Sequence, residues 1–322
     1  MRRWYLAMAA VLAVVAVWAL APVTSAQAAP LDAKQIAHDA KWVAHLDVDA
    51  MRESVVVKKA YEKATADSKK LADALPKLRA MLGMDPRKDL HGITVYGPKP
   101  GKPQGVLIVH ADVDQAVLLA KVNTAPQHEV GKHGTFEVHS WTHPHGKSAG
   151  AFFKPNVLVF AENPAQVGAT LDVLDGKAEN LDKAVGERIA RDVPQGSILV
   201  GWVAGLADIQ LPHKSPLITQ SDALGLAVGE QQGTSFLKAA LMTKTPEMAG
   251  QVQKMLEGLK AAGELHAAND ADGQAILKGV SVTASDKTVV IDAKAPAETV
   301  WKVLLTHAEK LAKQHAKKHG HQ

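Results

Sequence analysis

The sequence predicts an α+β fold: two tandem copies of a mostly antiparallel sheet unit, with helices packed on one face. Two observations support this. Short apolar runs with alternating polarity are joined by Pro/Gly-rich turns, the pattern of strands connected in hairpins. The same order of strands and helices then occurs a second time, and helices between hairpins are typical of antiparallel sheets covered by helices.

The first element predicted is a strand, followed by a long helical segment. Residues 42–46, "WVAHL", alternate in polarity, and Asp49 is placed to cap the following helix. Residues 50–82 carry apolar side chains at helical spacing, and Pro76 is expected to split them into two helices.

The rest of the first copy predicts a hairpin, a helix, three strands and a second helix. "GITVYG" and "GVLIVHA" flank the loop "PKPGKP", and Asp112 is expected to cap a helix that ends near Asn123. The stretch "FEVHSWTHPHGKSAGAFFKPNVLVF" reads as three strands joined by turns, and a helix follows with Pro164 at its first position.

The second copy repeats this order. "WVAGL" is a strand, and "ALGLAV" and "TSFLKAALM" form a hairpin around "GEQQG". A helix begins at Thr245-Pro246 and runs to about Ala262, and a last helix is opened by Pro296. The second copy has no counterpart of the helical segment 50–82.

Matching sequence offsets indicate an internal duplication. Val157 and Val289 are 132 positions apart, and so are Pro164 and Pro296. Trp42 and Trp202 are 160 apart, because the second copy lacks the segment 50–82. "EVH" at 137–139 also matches "ELH" at 264–266, which makes "NDADG" the equivalent of the turn "THPHG". The predicted organisation is a signal peptide (1–28), a first repeat unit (29–185), a second, shorter unit (186–308) and a basic His-rich tail (309–322).

The first 28 residues predict export. Two arginines precede an apolar run that ends at Ala26-Gln27-Ala28, the small-x-small pattern of signal-peptidase cleavage. An uncleaved membrane anchor is the alternative, although the apolar run is at or just below the ~18 residues that span a bilayer. Cleavage would leave a periplasmic or secreted protein with no stable membrane span, and the absence of cysteine excludes disulfides and a lipoprotein anchor.

Composition limits the classes of partner. The chain of 322 residues is 47% hydrophobic and 22% charged, which is typical of a globular protein. Cleavage removes two arginines and no acid, so the net charge falls from +4 to +2, too small a surplus to predict nucleic-acid binding. The lysines near the C-terminus suit the negative end of a helix dipole, or contact an acidic surface.

Two segments resemble a known group of proteins. "WVAHLDVDAMRES" and especially "LGMDPRKDLHGITVYG" are similar to uncharacterised secreted α+β proteins of planctomycete-type bacteria. The resemblance is strongest over about residues 40–100, and its motifs are structural rather than catalytic. It implies export and the α+β fold and assigns no activity or site.

Two short motifs invite a catalytic interpretation, and neither has the required context. "GKSAG" at 146–150 matches the G-x-S-x-G pattern of hydrolases, but Ser148 is followed by a predicted strand instead of the helix that a nucleophile elbow needs. "HEVGKH" at 128–133 resembles a zinc-protease motif with one residue too many between its histidines, and it reads as a Gly/Lys connector.

Histidine is the one unusual residue type, with 15 in the chain and clusters at "HSWTHPHG" and "HAKKHGH". His139, His143 and His145 form the candidate metal site, with His133 as an alternative ligand, because imidazoles suit transition metals in a cysteine-free exported protein. The competing interpretation is an ordinary polar turn, since "NDADG" carries no such ligands. The terminal histidines could bind metal weakly.

These observations predict an exported, non-catalytic binding or scaffold protein with an unidentified protein or small-molecule partner and no required cofactor. No acid–base constellation recurs in both copies or converges in one. The alternatives are a periplasmic metal-buffering protein that binds a transition metal through its histidines and, third, a serine hydrolase acting through Ser148.

Overall fold

The strands of the described residues form a single antiparallel sheet. The computed structural model describes residues 30–67, 83–99, 105–144, 146–181, 193–206 and 216–319. Its strands are β1 (Trp42–Asp47), β2 (Leu90–Gly97), β3 (Val106–Ala111), β4 (Glu129–His133), β5 (Phe136–His143), β6 (Gly146–Lys154), β7 (Val157–Ala161), β8 (Ser197–Ala204), β9 (Ser221–Gln231), β10 (Thr234–Thr243), β11 (Val280–Ser285) and β12 (Thr288–Pro296). They lie in the order β11-β12-β10-β9-β8-β1-β2-β3-β7-β6-β5-β4.

Helices connect and cover these strands. They are a 3-10 turn (Ala33–Gln35), α1 (Val48–Glu53), α2 (Val55–Asp67), α3 (Pro86–Asp89), α4 (Gln115–Asn123), α5 (Pro164–Leu174), α6 (Pro216–Thr219), α7 (Pro246–His266), α8 (Ala271–Lys278) and α9 (Ala297–His319). The predicted α+β class with an antiparallel sheet is confirmed.

The two halves of the sheet meet at β1 and β8. Trp42 lies opposite Val203, and Trp202 lies opposite Val43, so the two "WVA" segments pair with each other antiparallel. Outward from this pair, β1-β2-β3-β7-β6 has the same order as β8-β9-β10-β12-β11. Strands β1 and β8, which carry Trp42 and Trp202, therefore occupy equivalent places in the strand order of the two halves. The predicted boundary between the units, at residue 185, falls outside the described residues.

One part of the predicted alignment is wrong. "EVH" at 137–139 lies in β5, whereas "ELH" at 264–266 ends helix α7, and the Asp270 side chain of "NDADG" caps α8 by accepting from the Gly273 N–H (3.0 Å). Strands β4 and β5 thus have no counterpart among the described residues of the second half. The match fails because α7 keeps apolar residues at helical spacing through the "ELH" triplet.

The helix starts also differ from the prediction by two residues. Asp47, rather than Asp49, caps α1, because its carboxylate accepts from the Ala50 N–H (2.8 Å). Asp114, rather than Asp112, caps α4. The predicted long helix is already interrupted at Ser54, and residues 68–82 lie outside the described part. The backbone of α9 continues to His319, into the predicted tail.

The pleat divides the side chains of the sheet between two faces. We call face A the one that carries Val43, Tyr96 and Ile108, and face B the one that carries Leu46 and Ile93. In the first half, face A is covered by Ile36 next to the 3-10 turn and by Val167 and Leu171 of α5. Met51 of α1 covers face B. In the second half, Ala249 and Val252 of α7 pack on face B against Val289. Helices thus cover a second face in addition to the one predicted.

Candidate functional site

The predicted metal ligands lie on the hairpin formed by β5 and β6. His139 and His143 both point to face B, and four residues of extended strand separate their Cα atoms by about 13 Å. The Nε2 atom of His143 lies 3.0 Å from Ser148 Oγ, whereas His139 contacts His128. His145 lies outside the described residues. The side chains of His139 and His143 would have to move for one ion to reach both. The three-histidine site therefore stays a prediction.

His133 is on the other face of the sheet from His139. It lies opposite Phe136, which packs on face A, and its Nε2 atom is 2.9 Å from the Asp172 Oδ1 atom of α5. The ring also lies against Gly168, where an added Cβ would be 2.6 Å from Nδ1. Residues 129–133 form strand β4 instead of the predicted connector. The "HEVGKH" motif has no helix to carry it, so its rejection as a zinc-protease site stands.

Ser148 lies inside strand β6, opposite Trp141 of β5. The backbone on both sides of Ser148 is extended and paired with β5, and from Ala149 onward it also pairs with β7, which leaves no strand-to-helix turn whose N–H groups could form an oxyanion hole. The second glycine of the motif has a packing role: a Cβ on Gly150 would lie 2.8 Å from Phe160. The strand that was predicted to follow Ser148 is confirmed.

The first half contains a buried cluster of charged residues. Asp49 and Arg52 of α1 form an ion pair, and both side chains are almost fully buried. His91 of β2 bridges Asp49 (Nδ1 to Oδ2, 3.0 Å) and the exposed Asp112 (Nε2 to Oδ2, 3.2 Å). Burial raises the pKa of Asp49, while His91 and Arg52 oppose that rise.

This cluster holds the chain together and leaves no open site. Arg52 donates to the carbonyl oxygens of Pro86 (3.2 Å) and Leu90, which fixes the "DPRKD" segment against α1. Within that segment the Asp85 carboxylate accepts from the Arg87 N–H (3.1 Å) and from its guanidinium (2.9 and 3.0 Å). These contacts give the "DPRKD" segment a structural role, whereas the family resemblance stays a prediction.

A broad concave surface lies on face A of the second half. It is a cleft of about 510 Å³, floored by β8 to β12. Its lining residues are small or aliphatic in the middle and polar at one edge: Val193, Val200, Ala223, Gly225, Leu226, Ala227, Lys238, Ala240, Met242, Thr283, Ser285, Asp286, Thr288 and Val290. All belong to strands except Val193 and Asp286.

The sheet register explains the shape of this cleft. Trp202, Gly225, Ala240, Val290 and Thr283 form one row across β8 to β11, so small residues lie between a large aromatic side and a polar side. The hydroxyls of Thr283, Ser285 and Thr288 supply hydrogen-bonding groups at the polar side.

Sequence reasoning missed this cleft completely. The available signal was the alternation of small residues in "ALGLAV", where Ala223, Gly225 and Ala227 share one face while leucines and a valine occupy the other. A strand with only small residues on one face indicates that something other than large side chains occupies the space above it.

Comparisons with known proteins add no family. No protein-family model matches the chain, and no curated protein matches it in sequence. Solved structures of the treponemal protein TP0453 are similar: crystal form IV has a TM-score of 0.47 at 8% identity, covering 86% of this chain and 97% of that chain. Crystal form III gives 0.44 and 9%, covering 85% and 98%, and form I gives 0.44 and 10%, covering 86% and 97%. At these values the likeness carries no argument about ligand or activity.

Across the part of the chain that the structure describes, no helix combines the length and the apolar character needed to cross a bilayer.

Proposed function

We propose that this chain is an exported, non-catalytic binding protein that holds a small molecule on face A of its second half. The observation that carries the proposal is the cleft of about 510 Å³, since ligand pockets typically measure about 300–1,000 Å³. Export rests on the signal-peptide pattern of residues 1–28 and is part of the same proposal.

The lining indicates the kind of ligand. The floor of Ala223, Ala227, Ala240 and Val290 presents apolar surface, so it favours a ligand with an apolar body. The threonine and serine hydroxyls along β11 and β12 would orient a polar end. Because the floor side chains are small, a flat or chain-like body can approach the sheet closely.

The non-catalytic part of the proposal rests on the fate of the catalytic motifs. Ser148 has strand geometry, the buried Asp49 contacts Arg52 and His91, and Arg52 donates to backbone carbonyls. The metal-buffering alternative through His139, His143 and His145 is not favoured, because the extended strand holds His139 and His143 apart.

A fluorescent apolar probe tests the cleft. We expect 1-anilinonaphthalene-8-sulfonate to bind the parent protein with one-to-one stoichiometry. Its binding should be lost in Ala240→Phe, because the phenyl ring fills the floor of the cleft. The matched control is Leu265→Ser, which removes the most exposed large apolar side chain, 80% exposed at the end of α7. A probe signal that falls in Leu265→Ser and survives in Ala240→Phe would place the binding on α7 and refute the cleft.

A further inference from the structure

Two histidines on face B point their ring nitrogens at each other. His128 directly precedes β4, and His139 lies in β5 opposite Val130. The Nε2 atom of His128 is 3.1 Å from the Nδ1 atom of His139, and the ring planes differ by only 13°.

The rings meet edge to edge. Their centres are 5.3 Å apart. This is close to the sum of the nitrogen–nitrogen distance and, for each ring, the distance from its centre to its own nitrogen. Both nitrogens must therefore lie near the line that joins the ring centres. In the metal-free pair one nitrogen donates its hydrogen to the lone pair of the other.

His139 is buried beside a small apolar cavity. The residue is 8% exposed and forms part of the wall of this cavity of about 70 Å³, together with Trp141, Phe152 and Phe160.

We propose that His128 and His139 form a two-coordinate site for a monovalent d10 metal ion, Cu⁺. Opposed, nearly collinear lone pairs match the linear coordination that such ions prefer, and imidazole is a good ligand for copper. Zn²⁺ fits less well, because it requires about four ligands in a tetrahedron. The described residues contain no group of three or more His, Cys, Asp or Glu side chains placed to share an ion.

The ion takes the place of the shared hydrogen. The bridging proton leaves its nitrogen, and the same ring takes up a proton on its other nitrogen, so both rings stay neutral and no electron is transferred. Metal–nitrogen bonds of about 2 Å require the two nitrogens to separate to about 4 Å. His128 can make that movement because it is only partly buried and lies just outside β4.

The test uses Ag⁺ as a redox-inert probe in chloride-free buffer. The protein is the full chain with His315, His319 and His321 changed to glutamine, which removes the terminal histidine cluster. We expect calorimetry to show one tight equivalent of Ag⁺ per chain, and binding more than about tenfold weaker for His128→Ala and His139→Ala, since each removes one of two ligands. Fluorescence of Trp141, on the wall beside His139, should change with the same midpoint.

His143→Ala is the matched control, because His143 lies on the same face of β5 and contacts Ser148 instead. Its Ag⁺ affinity should equal that of the parent within twofold. His128→Ala removes a partly exposed side chain, so its circular dichroism should match the parent even where His139→Ala is destabilised. Unchanged affinity in His128→Ala, Zn²⁺ binding as tight as Ag⁺, or no Ag⁺ binding by the parent would each overturn the proposal.

Discussion

The same face of the sheet has opposite characters in the two halves of the molecule. On face A of the first half, Tyr96, Ile108 and Val159 meet Ile36 and Leu171 in a packed core. On face A of the second half, Ala223, Gly225, Ala227 and Ala240 leave a cleft.

The difference shows that strand order alone does not decide what a sheet face does. The five strands that the halves share have the same outward order, yet in the described part of the chain residue size and a covering helix separate a packed core from a cleft. Large β-branched side chains create interlocking surface for a helix, whereas small ones leave space that only another group can fill.

The largest expected effect comes from breaking the packed side. Leu171→Ala in α5 removes a completely buried side chain and should lower the free energy of unfolding by about 2–5 kcal/mol. Urea unfolding measures it. Val290→Ala in the cleft floor is the comparison and should cost less than about 1.5 kcal/mol, since Val290 is only partly buried. Equal costs would show that face A is equally packed in both halves.

Adding volume should sharpen the contrast. Ala149→Leu, at a fully buried position of β6, should destabilise the protein by about 1–3 kcal/mol because the core has no room for it. Ala240→Leu points into the cleft and should change stability by less than about 0.5 kcal/mol. Thermal denaturation of the two variants makes the comparison, and a large loss in Ala240→Leu would contradict an open cleft.

A contact between the two halves has a smaller predicted effect. The Glu230 carboxylate, at the end of β9, accepts from Ser54 Oγ (2.8 Å) and from the N–H groups of Val55 (2.9 Å) and Val56 (3.3 Å), and so caps α2 from across the sheet. Glu230→Ala should cost about 1 kcal/mol, the usual loss on removing a helix cap. Glu257→Ala, on the exposed face of α7, is the control and should be neutral in urea unfolding. Hydrogen exchange should also speed up at Val55 and Val56 in Glu230→Ala alone.

The smallest predicted effect concerns pH. Burial raises the pKa of Asp47 above its ordinary value, so the folded state holds this proton more tightly than the unfolded chain. The contribution of Asp47 to stability is therefore greatest below its unfolded pKa and is lost as the pH rises through the folded pKa.

Asp47→Asn tests this because asparagine caps helices about as well as aspartate. Stability curves between acid and neutral pH should fall less steeply with rising pH in Asp47→Asn than in the parent. Asp114→Asn, a cap on the exposed start of α4, should leave the slope unchanged. Parallel curves for Asp47→Asn and the parent would refute a raised pKa.

Local patterns in the sequence were sufficient for most of the fold. Alternation and turn residues identified the β2–β3 and β9–β10 hairpins, and the second turn is formed by Gln232 and Gly233, both with positive φ. Proline located the starts of α5 and α7. The helix caps were misplaced by two residues because two aspartates alternate at each site, and only backbone geometry selects the one that reaches the first N–H groups.

The candidate sites required the tertiary structure. His128 and His139 are eleven residues apart. They meet only because residues 129–133, which the sequence predicts as a connector, form strand β4 and pair with β5. His139 and His143 look like neighbours in the sequence, yet the extended strand between them holds them apart.

What the sequence by itself determined about this protein is the α+β class and most of its strands and helices, because these depend on periodicity and composition within short windows. Export stays a prediction from the pattern of residues 1–28. Only the tertiary structure decided that the two halves join at β1 and β8 into one sheet, and that, among the described residues, one half of face A is packed while the other forms a cleft. Those outcomes depend on strand register and on which helix reaches which face, and contacts between distant residues set both.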